Sequence, residues 1–324
     1  MKILLINSAI NKIYSWFEAW VEEELRKRHT VRTFHFTNEL NSLDSLVSSY
    51  KPELLLTFTG FGFPTDLLQS FRNKGIKLAV WLTEDPYYID HTINLVNSFD
   101  FVFTIDSSAK EIYENRGHRQ VHHLPLGTNP DVFKPKTVEE KYKSDICLVG
   151  YPYPDRIKYV RYILQYTNFK VLLVGEWKAY ARRLRRLKNV TIHDGWISPP
   201  TVANYYNGSK IILNSHRPVN LVYNQNKQKI IGKSINNRTF DVASCGSFQL
   251  IDFKEDLPKH FKEGEEIIAF RNFEELLEKT KYYMNAEEER KIIAKKARIR
   301  VLKEHTFQHR LNQIISVIET EKRQ

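Results

Sequence analysis

Residues 2–36 read KILLINSAINKIYSWFEAWVEEELRKRHTVRTFHF, and the order of patterns in them decides the fold class. Lys2–Asn7 is a short apolar run of the kind buried in a parallel strand. Trp16, Phe17, Trp20, Val21 and Leu25 then recur at helical spacing, with Glu18, Glu22 and Glu23 assigned to the opposite face, so this stretch forms a helix that covers a sheet. Thr30–Phe36 is a second β-branched and aromatic run. A strand, a covering helix and a strand make one step of a doubly wound α/β sheet.

The step repeats along the chain. Strands are expected at Glu53–Thr59, Lys77–Glu84, Phe101–Asp106 and Val121–Leu126, completing a first series of six. A Pro-containing segment, Leu124 to Pro135, leads into the charged stretch Lys136 to Lys143, which reads as a linker. A second series follows at Ser144–Gly150, Phe169–Gly175, Val190–Asp194, Lys210–Ser215, Ser247–Asp252 and Glu265–Phe270, and the chain closes in helices over Phe273–Met284, Ala286–Lys303 and Phe307–Thr320. The expected organisation is therefore two Rossmann-like domains facing a cleft, residues 1–140 and 141–305, with 306–324 as a last helix.

Composition agrees with this. A chain of 324 residues with 42% hydrophobic and 27% charged residues has enough apolar material for two cores, which excludes a disordered tail. No apolar run approaches the ~18–20 residues of a membrane helix, and the first one stops at Asn7-Ser8, so neither a spanning segment nor a signal peptide is expected. Cys147 and Cys245 lack metal-ligand spacing and cannot form a disulfide framework, which points to a reducing cytoplasm. The net charge of +11 is unevenly held. Residues 1–140 carry 15 Lys and Arg against 18 Asp and Glu, and the rest of the chain carries 34 against 20. The second half therefore suits an anionic partner: a nucleotide, a nucleic acid or an acidic polymer.

Ligands of open α/β sheets bind at the carboxyl ends of the strands, so the loops there are the candidate site. The loop after the first strand, Asn7 to Asn11, has no glycine, which disfavours a dinucleotide fingerprint. Gly60 and Gly62 follow the third strand and offer backbone N–H groups to an acceptor or a phosphate. Glu84 and Asp85 end the fourth strand before Pro86. Either can serve as general base for an acceptor hydroxyl, with Asp85, beside the rigid proline, the better placed. In the second domain Arg156 falls near a helix start, where it can hold a diphosphate, and Trp177 reads either as the wall of a base or sugar pocket or as packing. Asn236 and Asn237 cap a short helix that opens with Arg238, places Asp241 one turn on within reach of a ribose diol, and stops at Gly246. The polar connection from Ser215 to Ser234 before it is long enough to be a functional loop. Arg182 and Arg186 belong to a basic amphipathic helix spanning Lys178 to Lys188, either a solvated face or a surface for an acidic acceptor.

The chain resembles the GT-B glycosyltransferases and, among them, the YkvP/CgeB group of spore-associated proteins. The resemblance is carried by Glu84-Asp85-Pro86, by Leu124-Pro125-Leu126-Gly127-Thr128-Asn129 through Phe133-Lys134-Pro135, by Asn237-Arg238-Thr239-Phe240-Asp241 with Ser244-Cys245-Gly246, and by His305-Thr306-Phe307-Gln308-His309-Arg310. It implies metal-independent transfer of a sugar from a nucleotide-sugar donor, a UDP-sugar first, with no added cofactor. The acceptor would be a glycan, a protein or a nucleic acid, and the location cytoplasmic, with spore association. It also implies that Asp241 holds the ribose, that Asn236, Asn237 and Arg238 lie near the donor phosphates, and that the last helix crosses back to the first domain. Related retaining enzymes have a glutamate where this chain has Lys233, a residue able to pair with phosphate instead. A sugar-nucleotide epimerase on the same architecture and a non-catalytic carbohydrate- or nucleic-acid-binding protein are the alternatives.

Overall fold

The computed structural model describes residues 1–36, 40–180 and 189–321. Both series of strands close into six-stranded parallel sheets. The first contains β1 (Lys2–Asn7), β2 (Thr30–His35), β3 (Leu54–Phe58), β4 (Lys77–Leu82), β5 (Phe101–Thr104) and β6 (Val121–His123), in the order β2-β1-β3-β4-β5-β6. The second contains β7 (Ser144–Val149), β8 (Val171–Gly175), β9 (Val190–Asp194), β10 (Ser209–Asn214), β11 (Gln249–Asp252) and β12 (Ile268–Phe270), in the order β12-β11-β10-β7-β8-β9. The strands end up to three residues earlier than their apolar runs suggest, so Thr83, Glu84 and Asp85 lie beyond β4.

Helices α1 (Ile13–Arg26), α2 (Leu40–Tyr50), α3 (Thr65–Asn73), α4 (Ile89–Leu95) and α5 (Ser107–Asn115) connect the first sheet. The second carries α6 (Pro154–Tyr166), α7 (Pro199–Gly208), α8 (Arg238–Ser244), α9 (Leu257–His260), α10 (Phe273–Asn285) and α11 (Glu287–Glu304), and α12 (Phe307–Glu321) ends the chain. Strands covered on both faces must be apolar throughout, which is why β3 (Leu54–Phe58) and most of β4 are fully buried runs rather than alternating ones. One assignment on α1 is corrected: Glu18 does not face solvent. It is buried with the apolar stripe, and its Oε1 accepts the backbone N–H of Ser8 at 2.5 Å, which compensates the loss of water.

The chain divides into two compact units. One holds Met1–Leu126, Val219–Ser234 and Phe307–Gln324, the other Gly127–Pro218 and Ile235–Thr306. In the first unit, Phe307 of α12 packs its ring against Phe17 and Trp20 of α1 at 5.9 and 5.6 Å, and Arg310 donates to the Pro125 carbonyl at 2.7 Å. The long connection after Ser215 is not a uniform loop. Its Val219–Ser234 part belongs to the first unit, where the Gln225 N–H donates to the Tyr87 carbonyl at 2.8 Å and the Asp90 N–H to the Gln225 carbonyl at 3.0 Å.

Candidate functional site

The direction of winding in the second sheet reverses between β7 and β10, so the loops after those two strands diverge and leave a crevice at the carboxyl edge. Gly150 follows β7 with φ +132, and Gly175 follows β8 with φ +134. A Cβ on Gly175 would lie 2.5 Å from the Gly150 carbonyl oxygen, so the two strand ends touch backbone to backbone. A Cβ on Gly150 would lie 2.5 Å from a terminal nitrogen of Arg156 and 2.9 Å from one of Arg238. Two guanidinium groups thus converge on Gly150, where no side chain stands in their way.

Each arginine is aimed by the ends of the same strands. Arg156 is buried, donates through Nε to Ser215 Oγ at 3.1 Å, and through its terminal nitrogens to the Ser215 and Tyr151 carbonyls at 2.6 and 2.9 Å. Its guanidinium also lies 4.7 Å from the Tyr153 ring centroid. Arg238 is half-buried and donates to Asn214 Oδ1 at 3.2 Å. Asn214 itself is a hub: its amide donates to Gln249 Oε1 at 3.2 Å and Thr239 Oγ1 at 3.1 Å, and accepts from the Asn236 amide at 3.1 Å. A buried amide network with its donors and acceptors matched in this way is rigid.

Asp241, one turn into α8, is buried. It accepts from Thr128 Oγ1 at 2.8 Å and from the Asn237 amide at 3.3 Å. Burial pushes its carboxyl up to about 7, against the Thr128 hydrogen bond, the nearby Arg238 charge and the Asn237 hydrogen bond. Asn236 is set by a second buried pair. His216 Nδ1 meets Asp252 Oδ1 at 2.5 Å, and its Nε2 accepts the Asn236 N–H at 3.1 Å, which fixes the neutral tautomer; burial holds the imidazole below its ordinary range. Asn214, Ser215, His216 and Thr128 were not singled out by sequence reasoning. The available signal was position: Asn214 ends β10, Ser215 and His216 follow it, and Thr128 follows Leu126-Gly127.

Trp177 is not a pocket wall. Its ring is fully buried in the core beside β8, and its indole N–H donates to the Gly150 carbonyl at 3.0 Å, so it holds the glycine corner from behind. Lys233 belongs to the first unit, where its ammonium pairs with Glu111 at 3.1 Å. Arg182 and Arg186 lie outside the described residues.

In the first unit, Asp85 is enclosed. Thr92 and Thr104 donate to it at 3.1 and 2.7 Å, Tyr113 donates at 2.9 Å, and it is 1% exposed. Burial, the largest influence, raises its carboxyl to about 7 despite those three hydroxyls. Asp85, expected at the strand end to face a ligand, is instead caged by side chains of its own fold. Glu84 remains partly accessible and accepts from the buried Tyr14 hydroxyl at 2.7 Å, which also meets Thr83 Oγ1 at 2.8 Å. Gly60 and Gly62, at φ +66 and +73, shape the loop after β3.

Two six-stranded Rossmann-like parallel sheets, the second with its charged residues gathered at the switch point, define the GT-B architecture. The chain belongs to the Glycosyl transferase-like family, which it matches over residues 137–316. It is 34% identical over 292 residues, 90% of each chain, to spore protein CgeB of Bacillus subtilis (strain 168). Among solved structures it is similar in fold to sucrose-phosphate synthase from Thermosynechococcus elongatus, with a TM-score of 0.72, 12% identity and 98% of each chain covered. Anabaena Alr3699/HepE in complex with UDP-glucose is similar at a TM-score of 0.70 and 11% identity, with 99% of this chain and 100% of that one covered.

Proposed function

We propose that the protein is a hexosyl-transferring enzyme that uses a nucleoside diphosphate sugar, a UDP-sugar first, and needs no metal ion. The observation that carries this reading is the convergence of Arg156 and Arg238 on Gly150 at the β7/β10 switch point. A diphosphate there accepts charge-assisted hydrogen bonds from Arg238, while the buried Arg156, its nitrogens held by Ser215 and Tyr151, adds fixed positive charge behind it. These stabilise the negative charge that grows as the bond between the sugar and the diphosphate breaks. The same positive charge does the work that a divalent ion does in other nucleotide-sugar sites.

Asp241, opposite Thr128, is the acceptor for a ribose diol, and Asn236 and Asn237 add amide donors beside the phosphates. On the acceptor side, a new bond forms from the acceptor oxygen to the anomeric carbon while its proton passes to a carboxylate. Glu84 is the candidate, since Asp85 is enclosed. Fold similarity to a protein solved with UDP-glucose favours uridine. The relationship to a spore protein favours a spore-associated role in the cytoplasm; among the described residues no helix is long and apolar enough to cross a membrane.

Thermal shift with UDP, GDP, dTDP and UDP-glucose, followed by mass spectrometry of turnover products, tests the proposal. UDP and UDP-glucose are expected to raise the melting temperature, and the double variant R238A/D241A to abolish the rise. The proposal fails if no nucleotide stabilises the protein, or if that variant responds as the wild type does.

A further inference from the structure

We propose that the first unit carries an acceptor subsite for a neutral saccharide ring, built from Phe61, Tyr88 and His91. This rests on the glycosyltransferase reading and names the class of acceptor that reading leaves open. The loops after β3 and β4 enclose a hollow of about 370 Å³ lined by Gly60, Phe61, Gly62, Tyr88, His91 and Leu95. That volume lies within the ~300–1,000 Å³ usual for small-ligand sites. It opens at the carboxyl edge of the sheet, four residues along the chain from Glu84 to Tyr88.

The glycines shape it. A Cβ on Gly60 would lie 2.9 Å from Leu95 Cδ2, so the loop is pressed onto α4 and Leu95 becomes the floor. A Cβ on Gly62 would lie 3.5 Å from the Phe36 ring, in ordinary contact, and Gly62 itself is exposed at the rim. Phe61 and Tyr88 are half-buried and His91 is exposed, so the core has not absorbed the three rings.

The lining chemistry selects the ligand. Among the described residues the hollow is lined by no Lys, Arg, Asp or Glu, which favours a neutral ligand over a phosphate or a cation. Phe61 lies 5.4 Å from Tyr88 at an interplanar angle of 41° and 6.2 Å from His91 at 60°, while Tyr88 and His91 stand 6.4 Å apart at 30°. Rings tilted this way form a concave wall rather than the parallel slot that grips a planar base. A pyranose matches such a wall. Its polarised C–H face lies against aromatic faces that carry negative quadrupole, and its hydroxyl rim meets the Tyr88 phenol, the His91 imidazole and the exposed Gly62 backbone.

The test is saturation-transfer NMR on the full chain with maltose, cellobiose and chitobiose, run beside the UDP thermal shift. At least one disaccharide is expected to bind without nucleotide, and F61A and Y88A each to weaken it roughly 3- to 10-fold, the range of aromatic contacts. H91A, at an exposed position, is expected to weaken sugar binding as well while melting within a degree or so of the wild type. The subsite is overturned if no disaccharide binds, if binding is equal in wild type and variants, or if p-nitrophenol occupies the hollow more tightly than any sugar. Those failures with the UDP shift retained leave the donor reading standing. Loss of the UDP shift with ring-dependent sugar binding overturns the donor reading and leaves the subsite.

Discussion

Replacing Gly150 by alanine tests whether two guanidiniums are held at a glycine corner. The new methyl would sit 2.5 Å from the Arg156 nitrogen and 2.9 Å from that of Arg238, on a residue whose φ is +132. The backbone conformation costs an L-residue about 1–3 kcal/mol. Arg156 cannot yield, because Ser215 and Tyr151 hold three of its nitrogens, so crowding adds about 1–3 kcal/mol more. A loss of about 3 kcal/mol lowers the melting temperature by roughly 6–12 °C for a unit of this size.

The control is Gly195, also in the second unit, at φ +104 with nothing among the described residues within 4 Å of an added Cβ. G195A carries the backbone strain without the crowding. Differential scanning fluorimetry of both variants with and without UDP therefore separates the two costs. G150A is expected to melt below G195A and to lose UDP affinity roughly 10- to 100-fold, the worth of one charge-assisted hydrogen bond, while G195A keeps it. Equal melting temperatures and unchanged UDP binding in both would refute the cradle.

Other outcomes follow from the same geometry. R238A should keep the fold and lose UDP affinity at least tenfold by calorimetry, whereas R156A should unfold at lower denaturant, since it strips the partner from the buried Ser215 carbonyl. Burial holds Asp241 at about 7, above its unfolded value near 3.9, so the folded state keeps a proton that the unfolded chain has lost, and stability falls as pH rises from about 4 to 7. D241N should flatten that part of the pH–stability curve. UDP affinity should move the other way, rising in the wild type as the carboxylate forms near pH 7 and staying flat in the variant. E84Q should lose turnover while melting normally, and D85A should melt several degrees lower, because it takes the acceptor from the buried Thr104 hydroxyl and leaves a gap beside Thr92 and Tyr113. Turnover should be the same after EDTA treatment.

Much of the fold could be read from local pattern. A strand buried on both faces must be apolar along its length, and an amphipathic helix must recur every three to four residues, so all twelve strands and the three closing helices were visible in the chain. Strand ends were less legible. Thr83 and Glu84 continue the run begun at Leu78, yet the parallel pairing with β5 ends at Leu82 opposite Thr104. Glu18 was misassigned because its place on the helix looked solvated. The backbone N–H that satisfies it comes from Ser8, in a loop whose path the periodicity of α1 does not contain.

The sequence by itself determined two parallel sheets, the loops worth searching and the membership of a family, because these depend on the order of residues within short windows. The tertiary structure alone decided which residues of those loops face outward. Asp85 and Glu84 are neighbours in the chain, yet one is caged by three hydroxyls from α4, β5 and α5 and the other is not. Arg156 and Arg238 lie on separate helices and meet over Gly150 only because β7 and β10 are adjacent at the switch point. Burial and convergence are set by contacts between segments far apart in the chain, and no local pattern encodes them.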